Sequence, residues 1–178
     1  PHHIAMRTLL FTFILALLSA LTSAQTFSNI AIAEASTVCS IAQDEQGMVW
    51  LGTEGGLYSY DGYRTIPHNT AADGTVVATR IHSMLVCHNI IYMGTERGLL
   101  VYDIRKGRYE ELNAKNEGDI RAVAIYANRL WFGGAQGLFS RNLQSGETRT
   151  ESSSLHNIYS LLATKHGLLV GTISGLTL

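Results

Sequence analysis

The chain has 178 residues, of which 15% are charged, and its formal net charge is −1. This balance gives no electrostatic basis for binding nucleic acid or an anionic membrane surface. A hydrophobic fraction of 46% excludes a disordered chain, and 17 glycines beside 2 prolines indicate many tight turns.

The first 24 residues have the pattern of a secretory signal peptide. Met6 and Arg7 precede an apolar run at residues 9–21, and small residues follow at 22–24. A membrane-spanning helix is the alternative, but it needs about 20 apolar residues, and the polar Gln25 follows too soon. We therefore expect residues 1–24 to be a helical signal peptide with extraneous N-terminal residues, and the rest of the chain to be exported.

A frame with two glycines recurs four times in the exported part. The four copies read WLGTEGGL, YMGTERGL, WFGGAQGL and LVGTISGL, at residues 50–57, 92–99, 131–138 and 169–176. Their first glycines are separated by 42, 39 and 38 residues. Self-similarity at a near-constant period is the sequence signature of a repeat architecture.

Each repeat predicts four short strands joined by tight turns. First strands are expected at residues 38–42, 81–86, 120–126 and 158–163, and the frame itself forms the second strand. Third strands are expected at 57–60, 99–102 and 138–141, and more polar fourth strands at 108–112 and 147–151. The turn between the first two strands should take a positive φ at Gly47, Asn89, Asn128 and His166, residue types that tolerate it.

Four strands in about 40 residues are typical of a β-propeller blade. Helical repeats of similar length are excluded, because the segments are rich in glycine, aromatic and β-branched residues and have no 3.6-residue apolar stripe. The sequence therefore predicts an all-β fold, an incomplete β-propeller of about four blades of four-stranded antiparallel sheet. The propeller occupies residues 25–178, with repeats at about 38–79, 80–118, 119–157 and 158–178.

One known family resembles these repeats. Residues 41–62, IAQDEQGMVWLGTEGGLYSYDG, are similar to the two-component regulator propeller repeat, and residues 27–30, FSNI, are similar to the segment before the first such repeat in hybrid two-component sensors. The resemblance covers residues 26–178. The sequence departs from the family pattern at Asn89 and Asn128, which replace a turn glycine, and at Gly134, which replaces a threonine.

The resemblance implies the N-terminal periplasmic sensor region of a hybrid two-component system histidine kinase. In that family an immunoglobulin-like domain, one membrane span, a histidine kinase and response-regulator modules follow the propeller, and the best-understood members sense glycans. Because residue 178 falls inside the third strand of the fourth repeat, we expect a fragment whose propeller continues in further blades. Residues 27–32 would then complete the last blade of the longer propeller; alternatively, they add an outer strand to the fourth repeat and close a four-bladed ring.

The resemblance makes a glycan or another small molecule the expected ligand, with signalling to a kinase outside this chain. Possible protein partners are further blades and a second sensor subunit, and any membrane contact would come through downstream segments. We expect no nucleic-acid partner, no cofactor, no metal and no catalysis in this segment, since its sequence contains no recognisable catalytic or metal-binding motif. A secreted propeller lyase and a non-catalytic protein-binding scaffold are the alternatives.

The candidate ligand-binding residues lie where the repeats disagree. The second residue of each first strand is, in turn, Cys39, His82, Arg121 and Tyr159, and Arg80 and Asp119 precede two of these strands. We predict that Arg80, His82, Arg121 and Tyr159 contribute to a ligand-facing surface near the mouth of the central channel. Solvated strand ends without a ligand are the alternative interpretation.

Other conspicuous residues have structural explanations. We expect the recurrent aromatic residues to pack between blades rather than to stack on sugars: Trp50, Tyr92 and Trp131. Asp61 and Asp103 should cap turns rather than bind a cation. Cys39 and Cys87 occupy different positions in their repeats, which favours two buried or half-buried free thiols over a disulfide.

Overall fold

The computed structural model describes residues 29–30, 37–71, 73–110 and 118–178. The chain divides into two compact units, Pro1–Ala31 and Ile32–Leu178. All strands identified in the described residues belong to the second unit. The predicted signal peptide lies outside the described residues. Within the described part of the chain, no helix is long and apolar enough to cross a membrane.

In the part of the chain that the structure describes, fifteen strands form four antiparallel sheets, each built in chain order. The first contains β1 (Val38–Gln43), β2 (Val49–Thr53), β3 (Gly56–Tyr60) and β4 (Thr65–Pro67), and the second contains β5 (Ile81–Cys87), β6 (Ile90–Thr95), β7 (Gly98–Asp103) and β8 (Arg108–Glu110). The third contains β9 (Ile120–Tyr126), β10 (Arg129–Gly134), β11 (Leu138–Asn142) and β12 (Thr148–Ser152), and the fourth β13 (Ile158–Thr164), β14 (Gly167–Thr172) and β15 (Gly175–Thr177). The predicted all-β architecture of successive propeller blades is confirmed, with three described strands in the fourth sheet.

Consecutive sheets bury their apolar faces against each other. The core between the first and second sheets contains Trp50, Leu57, Ile81, Ile91, Met93 and Tyr102. The core between the second and third contains Leu99, Ile120, Leu130, Phe132 and Phe139, and that between the third and fourth contains Ala122, Ala124, Leu138, Ile158, Leu168 and Val170. The first strands of the sheets, β1, β5, β9 and β13, contact one another in that order, as the inner strands of propeller blades do.

The first glycine of the frame makes room for the next sheet. A Cβ atom at Gly94 would lie 2.8 Å from the carbonyl oxygen of Ile120 and 2.9 Å from its Cγ2. Gly52 and Gly133 are covered in the same way by Ile81 and Ile158, and each of these isoleucines is at most 1% exposed. The first glycine of the frame is therefore needed for close packing between blades and not for an unusual backbone conformation.

A threonine organises the turn that follows the frame. Thr53, Thr95 and Thr172 each donate a hydrogen bond to the carbonyl three residues on and accept one from the amide two residues on. The third repeat has Gly134 instead, because a Cβ there would overlap the carbonyl oxygen of Asp119. This departure from the family pattern has a direct steric cause.

Two of the four predicted turn positions are wrong. Gly47 and Asn128 take the expected positive φ, at 86° and 58°, but in the second repeat His88, at 55°, takes it in place of Asn89. There Cys87 pairs with Ile90, and the positive φ falls on the first residue of the two-residue loop. In the fourth repeat Gly167, at 152°, replaces His166, because Thr164 forms a threonine turn that ends on this glycine.

The two cysteines are free, as predicted. Cys87 is half-buried, whereas Cys39 is exposed, which corrects the expectation that both would be at least half-buried. The position of Cys39 explains its exposure, because its neighbours in β1 pair with β2 while Cys39 itself is left out of the pairing.

Candidate functional site

The second residue of every inner strand is a β-bulge. In the second sheet Ile81 pairs with Thr95 and Ser83 pairs with Gly94, so His82 has no partner across the strands. The same register shift leaves out the equivalent residues of the other sheets: Cys39, Arg121 and Tyr159. A bulge redirects a side chain and is frequent beside binding sites. Three of the four predicted ligand-binding residues, His82, Arg121 and Tyr159, are therefore also bulge residues.

The structure brings three of the four predicted site residues together around one carboxylate. Asp119, which directly precedes β9, accepts a hydrogen bond from Arg121 Nε at 2.7 Å through Oδ2. Its Oδ1 lies 2.9 Å from Nε2 of His82 on the preceding sheet. The guanidinium of Arg121 then lies over the ring of Tyr159 on the following sheet, 5.0 Å from its centroid. We call these four residues the Asp119 cluster.

The cluster is half-buried, with an aromatic face open to solvent. Tyr159 is 51% exposed, whereas the Asp119 side chain is 26% exposed. The hydrogen bond to Asp119 raises the pKa of Arg121 above its ordinary value. The ion pair therefore holds the guanidinium in place over the tyrosine ring, a cation–π arrangement.

One contact in the cluster lacks good hydrogen-bond geometry. His82 Nε2 and Asp119 Oδ1 are close, but neither atom has a hydrogen-bond partner among the described residues, and both are shielded from solvent. Native proteins leave few buried polar atoms in this state, and each such atom calls for an explanation.

Arg80 lies at the start of the inner strand of the second sheet but has a different partner. Its guanidinium forms an ion pair with Glu54 in the turn between β2 and β3. The Arg80 side chain is 47% exposed, so it can contribute charge to the same end of the sheets. Cys39, at the equivalent bulge of the first sheet, is exposed as well.

Asp119 is the functional candidate that sequence reasoning missed. Asp119 directly precedes an inner strand in the sequence, but it is not among the predicted ligand-binding residues. A repeated backbone contact is not visible in the sequence: in the first three sheets, an amide of the turn after the frame donates a hydrogen bond to the carbonyl of the residue that precedes the inner strand. These bonds run from Glu54 to Thr37, from Glu96 to Arg80 and from Ala135 to Asp119. They fix the register that brings Asp119 beside the bulges.

The recurrent aromatic residues pack between sheets, as predicted. Trp50 is 3% exposed, and its indole N–H donates a hydrogen bond to Asp44 at 2.9 Å. Tyr92 and Trp131 are half-buried against the second and third interfaces. These rings pack at the interfaces between sheets and are not part of the Asp119 cluster.

The two candidate cation ligands are turn caps. Asp61 accepts hydrogen bonds from the amides of Tyr63 and Arg64, and these bonds lower its pKa. Asp103 caps the turn through the amide of Lys106, and the Lys106 ammonium, 2.7 Å away, is the largest cause of its lowered pKa. Over the described residues, no group of three or more His, Cys, Asp or Glu side chains could hold a metal ion.

Successive antiparallel sheets pack against each other through their inner strands, and each inner strand has a bulge at its second residue. This arrangement defines the chain as a β-propeller repeat protein. The model of the two-component regulator propeller family matches residues 34–55. Two crystal structures of the extracellular domain of BT4673 from B. thetaiotaomicron, described as a one component or a hybrid two component system, are 38% identical to the chain. They align over 86% of it, with TM-scores of 0.77 and 0.76. The chain therefore contains a two-component regulator propeller repeat and is similar over most of its length to the extracellular domain of BT4673.

Other solved structures share the fold alone. The extracellular domain of BT3049 from B. thetaiotaomicron aligns over 78% of the chain at 21% identity, with a TM-score of 0.66. The computationally designed Ika4 protein aligns over 87% of the chain and 97% of its own length, at 17% identity and a TM-score of 0.65. The chain spans only about a fifth of the BT4673 and BT3049 domains, at 21–22% of their length. No curated protein sequence matches it.

Proposed function

We propose that the chain is an extracytoplasmic, ligand-sensing part of a hybrid two-component sensor and that it recognises a glycan through the Asp119 cluster. The observation that carries this proposal is the Arg121 guanidinium held between the Asp119 carboxylate and the exposed Tyr159 ring. Arg80 contributes further charge at the same end of the sheets. Ligand binding would reach a kinase that lies outside this chain, through further blades and a membrane span.

The chemistry of the cluster suits a sugar. Half of the Tyr159 surface is exposed, and an aromatic ring offers an apolar face to the C–H groups of a pyranose. Beside it, the Asp119 carboxylate accepts hydrogen bonds from hydroxyl groups and the Arg121 guanidinium donates them. An apolar platform flanked by a few convergent polar groups is the usual composition of a small-molecule site.

Location and lack of catalysis belong to the same proposal. The similar domain of BT4673 is an extracellular domain, which supports export of this chain, and we propose the periplasm as its compartment. The Asp119 carboxylate is engaged by Arg121, which suits a binding role better than that of a general acid or base. We therefore propose that this segment binds its ligand without transforming it.

The test is a binding screen with substitutions in the cluster. The chain is titrated with oligosaccharides released from plant and host polysaccharides, and the tightest binder is measured again with Arg121→Ala, Tyr159→Ala and Tyr159→Phe. We expect the alanine variants to lose about tenfold or more in affinity, whereas Tyr159→Phe keeps the ring face and most of the binding. The matched control is Arg149→Ala. Arg149 is exposed, pairs with Glu147 and lies on β12 rather than on an inner strand. Unchanged binding in both alanine variants would refute the proposed site.

A further inference from the structure

A small cleft lies between the second and third sheets, at the end opposite the Asp119 cluster. Its volume is about 200 Å³, and its lining includes Tyr92, Glu110, Arg141, Gln144 and Ser145. β9 begins beside Asp119 and ends at Tyr126. Tyr126 pairs with Arg129 on β10, and Arg129 pairs with Asn142 on β11. The turn at residues 143–146 therefore borders the far end of the third sheet. The cleft is separate from the proposed glycan surface.

The cleft exists because two aromatic side chains are replaced in the third repeat. Between the first two sheets, Tyr102 and Tyr109 pair across β7 and β8 and pack edge to face, with ring centroids 5.1 Å apart. At the equivalent places of the third sheet, Arg141 pairs with Thr148 across β11 and β12. The third sheet therefore fills less of the space that it shares with its neighbour, and what fills it is polar.

The cleft carries opposite charges on its two sides. Arg141 comes from the third sheet and forms no ion pair among the described residues; its Nη1 donates a long hydrogen bond of 3.4 Å to Thr148. Glu110 comes from the second sheet, 40% exposed, with the Lys106 ammonium 3.7 Å away. Lys106 lies closer to Asp103, at 2.7 Å, so much of the Glu110 charge is left to a ligand.

Tyr92 also lines the cleft, on the same sheet as Glu110. It pairs with Val101, which pairs with Glu110, so these three side chains form one row on the face of the second sheet. Burial raises the pKa of Tyr92, Cys87 raises it further, the Arg141 guanidinium opposes the change and the Glu110 carboxylate adds a smaller upward contribution. The phenol is therefore neutral at physiological pH, and its ring forms an uncharged wall of the cleft.

We infer that this cleft binds a small zwitterion, an α-amino acid with a short polar side chain. Arg141 would hold the carboxylate in the paired geometry that guanidinium groups favour. Glu110 and the ring of Tyr92 would hold the ammonium group, and Gln144 and Ser145 would contact the side chain. The volume is below the roughly 300–1,000 Å³ of sites for drug-sized ligands, which fits a ligand of this size. The inference does not depend on the proposed glycan function.

The first test uses the unaltered chain and three ligands. L-Serine, ethanolamine and 3-hydroxypropanoate are titrated into it by calorimetry, since the two analogues lack the carboxylate and the ammonium group respectively. We expect L-serine to bind and each analogue to bind at least about tenfold more weakly, because each leaves one charged side chain without its partner. Equal binding of 3-hydroxypropanoate would reveal a simple anion site and overturn the inference. So would the absence of serine binding at millimolar concentration.

The second test locates the site. Arg141→Gln and Glu110→Gln each remove one charge and leave a polar amide, and each should weaken serine binding by about tenfold or more. Arg149→Gln is the matched control, because Arg149 is next to Thr148 on β12 and points to the other face of the sheet. Arg121→Ala should bind serine normally, which separates this site from the glycan surface. Melting temperatures confirm folding of each variant; normal serine binding by both folded Gln variants contradicts the inference.

Discussion

His68 connects the first two sheets through three polar contacts. Its Nε2 lies 2.8 Å from the hydroxyl of Ser59, and its Nδ1 lies 3.0 Å from that of Tyr102. Its backbone carbonyl accepts a hydrogen bond from Tyr109. Each ring nitrogen faces a hydroxyl group, which can donate or accept, so the neutral ring can form both hydrogen bonds. Burial disfavours the charged imidazolium and lowers the pKa of His68.

This lowered pKa predicts a loss of stability in mild acid. Below about pH 6.5 the imidazole of residue 68 is protonated in the unfolded chain, whereas in the folded chain it is protonated only at a lower pH. The free energy of unfolding therefore falls as the pH falls. One proton limits the slope to about 1.4 kcal/mol per pH unit, and the partial exposure of the ring reduces it. His68→Gln should flatten the dependence of unfolding free energy on pH between about 6.5 and 5, measured by urea denaturation.

The control for this experiment is His156→Gln, at an exposed position on the loop before β13. It removes a histidine without changing the interface between sheets. If the His68 and His156 variants both keep the slope of the unaltered chain, the account of His68 is wrong.

The turn threonines allow a second prediction at the scale of single residues. Thr95 is fully buried and makes two hydrogen bonds, to the carbonyl of Gly98 and from the amide of Arg97. Thr95→Val keeps the shape but leaves those groups unpaired, which should cost about 1–3 kcal/mol of unfolding free energy. Thr172→Val removes the equivalent bonds at a more exposed turn, where water can replace them. Equal losses in the two variants would contradict this explanation.

At the scale of the strand and sheet, the frame glycine sets how closely blades approach. Gly94→Ala would bring a Cβ atom to 2.8 Å from the backbone of Ile120, and backbone cannot rotate away. We expect a loss of about 1–3 kcal/mol in thermal or chemical unfolding. Gly171→Ala is the matched control, because the added atom meets only the side chain of Ser160, which can rotate; it should cost less than about 1 kcal/mol. Equal costs would show that the glycine has another role.

The sequence predicts most strands because their periodicity and turn chemistry are local. The predicted inner strand at residues 120–126 agrees with β9, and the others differ by one residue at their ends. The positive φ values at His88 and Gly167 were not predicted, because the type of each hairpin depends on strand register. The bulge at Arg121 and the contact between Asp119 and His82 depend on pairing between distant segments, which a single sequence does not show.

At the scale of the whole molecule, the outward face of the fourth sheet remains apolar and exposed. Leu162 is 60% exposed and Leu176 is 71% exposed, whereas Leu168 and Val170, on the opposite face, are buried against the third sheet. Each repeat of such an architecture buries its core only against its neighbours. This face is consistent with our proposal that the propeller continues in further blades.

The central claim is that the bulges at the starts of the inner strands form one recognition surface. Hydrogen–deuterium exchange of the chain, with and without its tightest-binding oligosaccharide, tests this claim directly. We predict slower exchange at residues 80–83, 119–122 and 158–160, and little change in the turns at the opposite end, such as 88–89 and 127–128. Protection confined to those opposite turns, or none at the three bulges, would contradict the account.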